Sequence, residues 1–313
     1  MPQSVGATSH IRLGTRGSPL ALHQARLVQA RLAAAYGLDP AQVAIEVIRT
    51  TGDQIQDRPP AEFGGKGVFT KEIEEALAAG RIDLAVHSAK DVPTFLPAGL
   101  MLAAYLPRAD ARDAFVSPKA NALAALPPGA TVGTSSPRRQ AMVKRLRPDL
   151  RIVPLRGNVE TRLRKLDEGA ADATVLALAG LKRLGLESAA RSIFEPNEML
   201  PAVGQGAIAI ETRADDTATR DWLAPINDPD TAFALAAERA FLAVLDGTCR
   251  TPIGGHAIIL AGRVQIRGMI LKADGSEVHE TVRDGPLSEA ASVGAEAGRD
   301  LKARASADFF VSG

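Results

Sequence analysis

The chain has 313 residues, 46% of them hydrophobic, which suffices for two or three domains with cores of their own. Its 37 basic and 36 acidic side chains leave a net charge of +1, so the chain as a whole attracts neither nucleic acid nor an anionic membrane, and any basic site must be local. A single cysteine, Cys249, excludes an internal disulfide and a cysteine-rich metal centre.

No apolar run approaches ~18 residues, and residues 1–10 lack the charged and apolar regions of a secretory signal. A reducing cytoplasm is the expected compartment. Ile11 to Thr15 reads as a strand, and Ser18-Pro19 opens an apolar-periodic helix that Gly37 closes. Arg16 thus lies in a strand-to-helix turn, beside N–H groups that favour anions. Val43 to Ile48 is a second strand, followed by a loop ending in Gly64-Gly65-Lys66-Gly67. That run lacks the spacing of a Walker A loop; we read a glycine-hinged mobile loop with Lys66 either solvated or reaching an anion. A helix from about Thr70 ends at Gly80, and Asp83 to Ser88 reads as a buried parallel strand. Lys90 and Asp91 follow at its carboxyl end, where ligands of open α/β sheets bind, although an aspartate there can be only a cap.

The second third of the chain repeats the first. Gly14-Thr15-Arg16-Gly17-Ser18-Pro19 recurs as Gly133-Thr134-Ser135-Ser136-Pro137, and Gly80-Arg81-Ile82-Asp83 with its strand recurs as Gly169-Ala170-Ala171-Asp172 before Ala173 to Leu178. Two similar α/β domains, each presenting a helix N-terminus, suggest a cleft for an anionic ligand. Arg138, Arg139, Arg156, Arg162 and Arg183 decorate the second domain, Arg138 and Arg139 in a first helical turn where the macrodipole opposes them. A planar guanidinium suits a bidentate grip on carboxylate or phosphate, whereas Lys144, Arg145 and Arg147 read as a solvated basic face.

Leu200 to Gly206 is a glycine-rich crossing segment, and Ala207 to Glu211 reads as a strand that completes the first domain's sheet. An alanine-rich helix from about Thr231 leads into Gly247-Thr248-Cys249-Arg250-Thr251-Pro252-Ile253-Gly254-Gly255, where the glycines offer backbone able to bend sharply around the thiol. Packing or covalent chemistry is what remains for Cys249. Strands near His256–Leu260, Arg263–Leu271 and Glu277–Arg283, then a helix from about Leu287, make a small third domain.

With His87-Ser88-Ala89-Lys90-Asp91-Val92-Pro93, Gly133 to Gln140, Leu155-Arg156-Gly157-Asn158 and the Cys249 loop in one order, the chain from about Ile11 to beyond position 300 resembles the porphobilinogen deaminase (hydroxymethylbilane synthase) family. The resemblance implies an α/β fold of two type II periplasmic-binding-protein-like domains around a cleft, residues 1–107 plus 206–224 and residues 108–205. A third, residues 225–313, has a three-stranded antiparallel sheet and carries the cysteine loop. It implies a transferase that condenses four porphobilinogen molecules head to tail with release of ammonia, then releases linear hydroxymethylbilane. It also implies a dipyrromethane cofactor held by thioether to Cys249, with Asp91 as catalytic carboxylate. By the same resemblance Ser88, Lys90, Thr134, Ser136, Arg138, Arg139, Arg156 and Gln205 bind the cofactor. Arg16, Ser18, Lys66, Arg156, Arg162 and Arg183 bind substrate, and no metal is involved. A monomer is expected, with at most transient contact with the next enzyme of the pathway. Acetate and propionate arms on each pyrrole explain why such a cleft collects arginines.

The chain departs from the family's pattern at Glu62, where a basic residue is common, at Thr248 and Arg250 around the cysteine, and at Pro137, where leucine is usual. Two other readings compete. A binding protein could capture a small anion without chemistry, but it has no need of a loop-borne thiol. A cysteine hydrolase would pair Cys249 with His87, yet His87 sits inside an apolar strand and reads as a satisfied core histidine.

Overall fold

The computed structural model describes residues 11–54, 67, 69–245, 252–306 and 309. In the first lobe β1 (Ile11–Thr15), β2 (Val43–Val47) and β3 (Leu84–Ser88) run parallel, and β4 (Leu100–Tyr105) forms an edge. α1 (Pro19–Tyr36) joins β1 to β2, while α2 (Thr51–Gln54) and α3 (Lys71–Ala78) precede β3. Ser18 caps α1 by accepting the Ala21 N–H at 3.3 Å, and Gly37 ends it at φ +62°, the start and stop that Ser18-Pro19 and Gly37 predict. Leu84 and Val86 pack on Val28 and Leu32 of α1, while Ala85 packs on Ile73 and Leu77 of α3. Burial on both faces is why β3 reads as a continuous apolar run.

The second lobe comprises β5 (Asp113–Val116), β6 (Thr131–Gly133), α4 (Pro137–Leu146), β7 (Arg151–Val153), α5 (Val159–Asp167), β8 (Ala173–Ala177), α6 (Leu178–Arg183) and β9 (Ser192–Ile193). The chain then returns to the first sheet through β10 (Ile208–Arg213), followed by α7 (Thr217–Leu223). Strand orders are β2-β1-β3-β10-β4 and β7-β6-β8-β5-β9. In each sheet three parallel strands are followed by an antiparallel one that the crossing chain supplies, β10 against β3 and β5 against β8. The short sequence repeat is therefore a repeat of topology, with β1–α1 and β6–α4 in equivalent places. The two lobes are thus the pair of like α/β domains that the sequence repeat suggests.

The third unit opens with α8 (Pro229–Val244), two residues ahead of Thr231, because Asp228 caps it by accepting the Thr231 N–H at 2.8 Å. Antiparallel β11 (Ile253–Leu260), β12 (Arg263–Leu271) and β13 (Val278–Pro286) follow, with α9 (Ala290–Arg304) packed on α8 and on the sheet. β11 starts three residues earlier than the sequence suggests: Gly254 and Gly255 are strand residues, not bends. A Cβ on Gly255 would lie 2.8 Å from Val203 and 3.2 Å from the Phe241 ring, and one on Gly268 2.5 Å from the same ring. These glycines make the slot for Phe241, a fully buried side chain of a kind that contributes about 3–5 kcal/mol.

This third sheet touches both lobes. Gly275, in the β12–β13 turn, sits against the α4 backbone, and Arg145 of α4 pairs with Glu280 at 3.0 Å. Toward the first lobe, Tyr105 and Ala209 share a core with Phe241, Ala257 and Ile266, and Arg108, just past β4, pairs with the buried Glu238 of α8. Lys144 and Arg147 also depart from the solvated face expected of them, Lys144 donating to the Pro148 and Leu150 carbonyls and Arg147 to those of Leu123, Ala124 and Leu126. Among the described residues no helix is long and apolar enough to cross a membrane.

Candidate active site

Where β3 ends, the chain makes one 3-10 turn, Ala89–Asp91, before Val92-Pro93 extends it. The turn is held from several sides. Ala89 N–H donates to the Ala207 carbonyl at 3.0 Å, and Ser88 exchanges hydrogen bonds with the buried Gln24 of α1. Gly204 of the crossing segment lies so close that a Cβ there would meet Lys90 N at 2.8 Å, and its φ of +74° favours glycine independently. Lys90 and Asp91 point their side chains into accessible space.

Beside them lies a cavity of about 70 Å³ between the lobes, lined by Leu20, Ser88 and Lys90 on one side and by Arg139, Arg162 and Arg183 on the other. Desolvation by the surrounding walls lowers the Lys90 ammonium to about 8; Asp91 opposes that shift, and Arg139 adds to it. Arg162 is lowered to about 10, chiefly by desolvation, then by Arg139, with Asp91 acting in the other direction, so Asp91 and Arg162 feel one another across the cleft. Desolvation likewise lowers Arg183 to about 10. Each of these arginines spends one N–H on a carbonyl, Arg162 Nε on Gly157 at 2.8 Å and Arg183 Nη2 on Gly206 at 2.7 Å. Their remaining N–H groups have no protein partner among the described residues. Arg156 adds a further positive charge near Arg162.

The sequence did not point to the residue that organises the arginine wall. Asp113, at the head of β5 and fully buried, accepts from Arg138 Nη2 at 2.7 Å, from Arg139 Nη2 at 2.7 Å and from Gln205 Nε2 at 3.0 Å. Burial alone would raise its pKa, but the two guanidiniums outweigh burial and hold the carboxyl well below its usual range. The bidentate partner anticipated for Arg138 and Arg139 is therefore first of all the protein's own. Arg138, 4% exposed, also donates to the Leu200 carbonyl at 2.7 Å and lies behind the cavity, whereas Arg139 lines it. The available signal was a charged residue opening the wholly buried strand Asp113-Ala114-Phe115-Val116.

Ser136 caps α4, accepting the Arg139 N–H, and Thr134 Oγ1 accepts the Ser136 N–H at 3.1 Å, so both hydroxyls shape the turn under the arginines. Pro137, unusual for the resembled family, occupies the first position of α4, where its fixed φ is an advantage. Arg16 stands over the Phe69 ring at 4.2 Å, and Ser18 is occupied as the α1 cap. His87 lies inside the first lobe, its Nε2 3.0 Å from Glu211, which fits a satisfied core histidine and not a partner for a thiol. Cys249, Lys66, Glu62, Thr248 and Arg250 lie outside the described residues.

A wall of cations facing one exposed carboxylate, at the ends of strands from two like lobes, suits a ligand with several acidic arms and N–H-bearing rings. Two family models match the chain: "Porphobilinogen deaminase, dipyromethane cofactor binding domain" over residues 11–221 and "Porphobilinogen deaminase, C-terminal domain" over residues 232–303. The chain belongs to the porphobilinogen deaminase family. Among relatives, a porphobilinogen deaminase of Nitrobacter winogradskyi is 60% identical, with 96% of this chain and 95% of that relative covered. One of Paracoccus denitrificans is 54% identical over 99% of both chains. Solved structures resembling the chain include a periplasmic substrate-binding protein from Coxiella burnetii, with TM-score 0.42, 16% identity and coverage of 71% of this chain and 94% of that one. A nutrient binding protein from Burkholderia cenocepacia has TM-score 0.43 and 16% identity, with 71% and 93% covered.

The donor set fits the dipyrromethane of porphobilinogen deaminases by its chemistry. Lys90, Arg139, Arg162 and Arg183 offer only donors and positive charge, as acetate and propionate arms require, and Asp91 offers an acceptor for ring N–H groups. Lys90 carries a pH signature. Below pH 8 it carries the positive charge that a carboxylate arm would need; as pH rises through about 8 it loses that charge. Affinity of the Cys249→Ser protein for a dipyrromethane bearing acetate and propionate arms, which it cannot attach covalently, should fall across pH 7–9, and adding Lys90→Gln should weaken binding and remove that pH dependence, as calorimetric titration would read.

Proposed function

We propose that the chain's described cleft is where porphobilinogen units are joined, with Asp91 as the catalytic carboxylate and the surrounding cations as holders of the acidic arms. The enzyme is a transferase of tetrapyrrole biosynthesis, a porphobilinogen deaminase or hydroxymethylbilane synthase with a dipyrromethane cofactor. Family membership over nearly the full length speaks against a binder without chemistry. The observation that carries the residue assignment is the exposed Asp91 next to Lys90, at the edge of a cavity lined by Lys90, Arg139, Arg162 and Arg183, with its charge felt by Arg162.

When bound, the dipyrromethane supplies carboxylate arms to be gripped and a pyrrole carbon on which the chain grows. Lys90, Arg139 and Arg156 would hold it, with Thr134, Ser136, Arg138 and Gln205 supporting the wall behind. Arg162 and Arg183, with Arg16, Ser18 and Lys66 assigned by the resemblance, would orient the incoming porphobilinogen. Asp91 stabilises the positive charge that develops on a pyrrole nitrogen as the substrate's own ammonium group leaves as ammonia, and accepts the proton lost from the ring carbon that forms the new bond. Desolvation strengthens these interactions, since charges across a cleft with protein walls interact more strongly than in water. The three sheets support division into residues 1–107 with 206–224, 108–205 and 225–313. A single cysteine and the balanced charge support a cytoplasmic monomer, with no more than transient contact with the enzyme that consumes the product.

The experiment is the intact mass of the purified protein beside its Cys249→Ser variant. An excess equal to two linked pyrrole units, present only with the cysteine, is the expected result. A wild-type mass that stays unmodified after incubation with porphobilinogen would overturn the cysteine assignment.

A further inference from the structure

Behind the turn that bears Asp91, β3 and β10 bury a titratable pair that the chemistry above leaves unused. His87 is the residue before Ser88 on β3, and its Nε2 lies 3.0 Å from Oε2 of Glu211 on β10, with the side chains 4% and 0% exposed. The register sets Ala209 opposite His87 and Glu211 opposite Ala85, so the contact runs diagonally across the ladder on one face. Glu211 Oε1 is buried without a hydrogen-bond partner among the described residues. From α3, Glu74 faces the pair, its carboxyl raised chiefly by burial and also by Glu211. From α8, Arg239 feels the Glu211 charge and donates Nη2 to the Pro93 and Thr94 carbonyls at 2.9 and 3.0 Å, just beyond Asp91.

Packing does not call for this chemistry. Two carboxyl groups buried beside one imidazole are costly, and an apolar pair of similar volume would join the strands with equal or greater stability. The location supplies the reason. The pair ties β3 to β10 immediately before both strands run out into functional backbone, β3 into the 89–91 turn and β10, in the reverse direction, into the 204–207 crossing segment. Beyond it, that turn and that segment meet through Ala89 N–H to the Ala207 carbonyl and through Gly204 against Lys90 N. We infer that His87 and Glu211 are a positioning pair that fixes the catalytic turn against the crossing segment and so aims Asp91 into the cleft.

The inference rests on Asp91 being the catalytic group. The test compares the holoenzyme with Glu211→Gln, which keeps shape and loses charge, and with His87→Leu, Glu211→Leu and the double leucine variant. The double variant should melt at or above the wild-type temperature, yet its kcat should fall ~10- to 100-fold with KM within about twofold, as misplacement of a reacting group by ~1 Å would give. Each single variant should lose about as much kcat as the double, because the two act as a unit. Glu211→Gln should fold normally and lose kcat in the same way. Wild-type kcat in Glu211→Gln, or in a double leucine variant of normal melting temperature, would overturn the pairing. Asp91→Ala assayed alongside separates the two readings: activity there removes the site assignment, whereas an inactive Asp91→Ala beside fully active Glu211 variants removes only the positioning pair.

Discussion

Asp91→Ala is expected to lower turnover by ~10²–10⁴-fold while leaving the thermal transition within ~0.5 kcal/mol of wild type. Asp91 is exposed at the end of a short turn that is held by backbone hydrogen bonds and by Gly204, so its side chain contributes little to the fold. Its influence falls on Lys90 and Arg162 instead, the groups that flank the cavity. Asp91→Glu keeps the charge but moves it by one methylene, so a slow enzyme is expected and not a dead one. Steady-state rates of ammonia release, with intact mass to show that the cofactor is still attached, provide the check. Wild-type turnover in Asp91→Ala would remove the proposed chemistry.

Asp113→Asn should act on the opposite side of the balance, costing about 3–5 kcal/mol of stability because two buried guanidiniums lose their shared anion. Since the folded-state pKa of Asp113 is depressed, its contribution is present above the unfolded-state value near ~4 and is lost as pH falls through the lower folded value. The variant should therefore lose most stability at neutral pH and least in strong acid. Asn keeps one acceptor oxygen for Arg139 and Gln205 but sets an NH2 group against Arg138 Nη2, so the loss falls chiefly on Arg138 and α4. Denaturant unfolding at pH 7 measures the loss, and a transition unchanged from wild type would mean that the buried triad is not what holds this wall together.

The parts of the site that were legible in the sequence are those whose signal is local. Lys90 and Asp91 stand between an apolar strand and Val92-Pro93, and Ser18-Pro19 and Ser136-Pro137 announce helix starts whatever surrounds them. Arg139, Arg162 and Arg183 could be grouped because planar cations at turns have few other uses, and the structure brings these three to one cavity. What could not be read depends on partners far along the chain. Asp113 meets Arg138 and Arg139 only through the sheet order, and its one local signal, a charged residue opening a short apolar strand, does not say which cations it will meet. β4 and β5 went unread because one is alanine-bearing and the other four residues long, and each is defined by antiparallel pairing to a remote strand. Gly254 and Gly255 were misread because a glycine needed for clearance by Phe241 looks, in sequence, like one needed for a bend.

The exchange of strands between the lobes also sets an order of assembly on the ribosome. The second lobe draws all five of its strands from one continuous stretch, Asp113 to Ile193, and can close its sheet as soon as that stretch has emerged. The first lobe cannot. Its interior strand β10 is made more than a hundred residues after β4, and until it arrives β4 has no neighbour and β3 presents an open edge. Such distant pairing is slow to form and leaves sticky edges exposed in the meantime. The carbonyl of Ala207, against which the Asp91 turn is pinned, arrives with that same late strand. The nascent chain therefore acquires the strands behind its arginine wall first and the support of the Asp91 turn last, so a chain stalled before β10 lacks the pinned turn that the proposed chemistry needs.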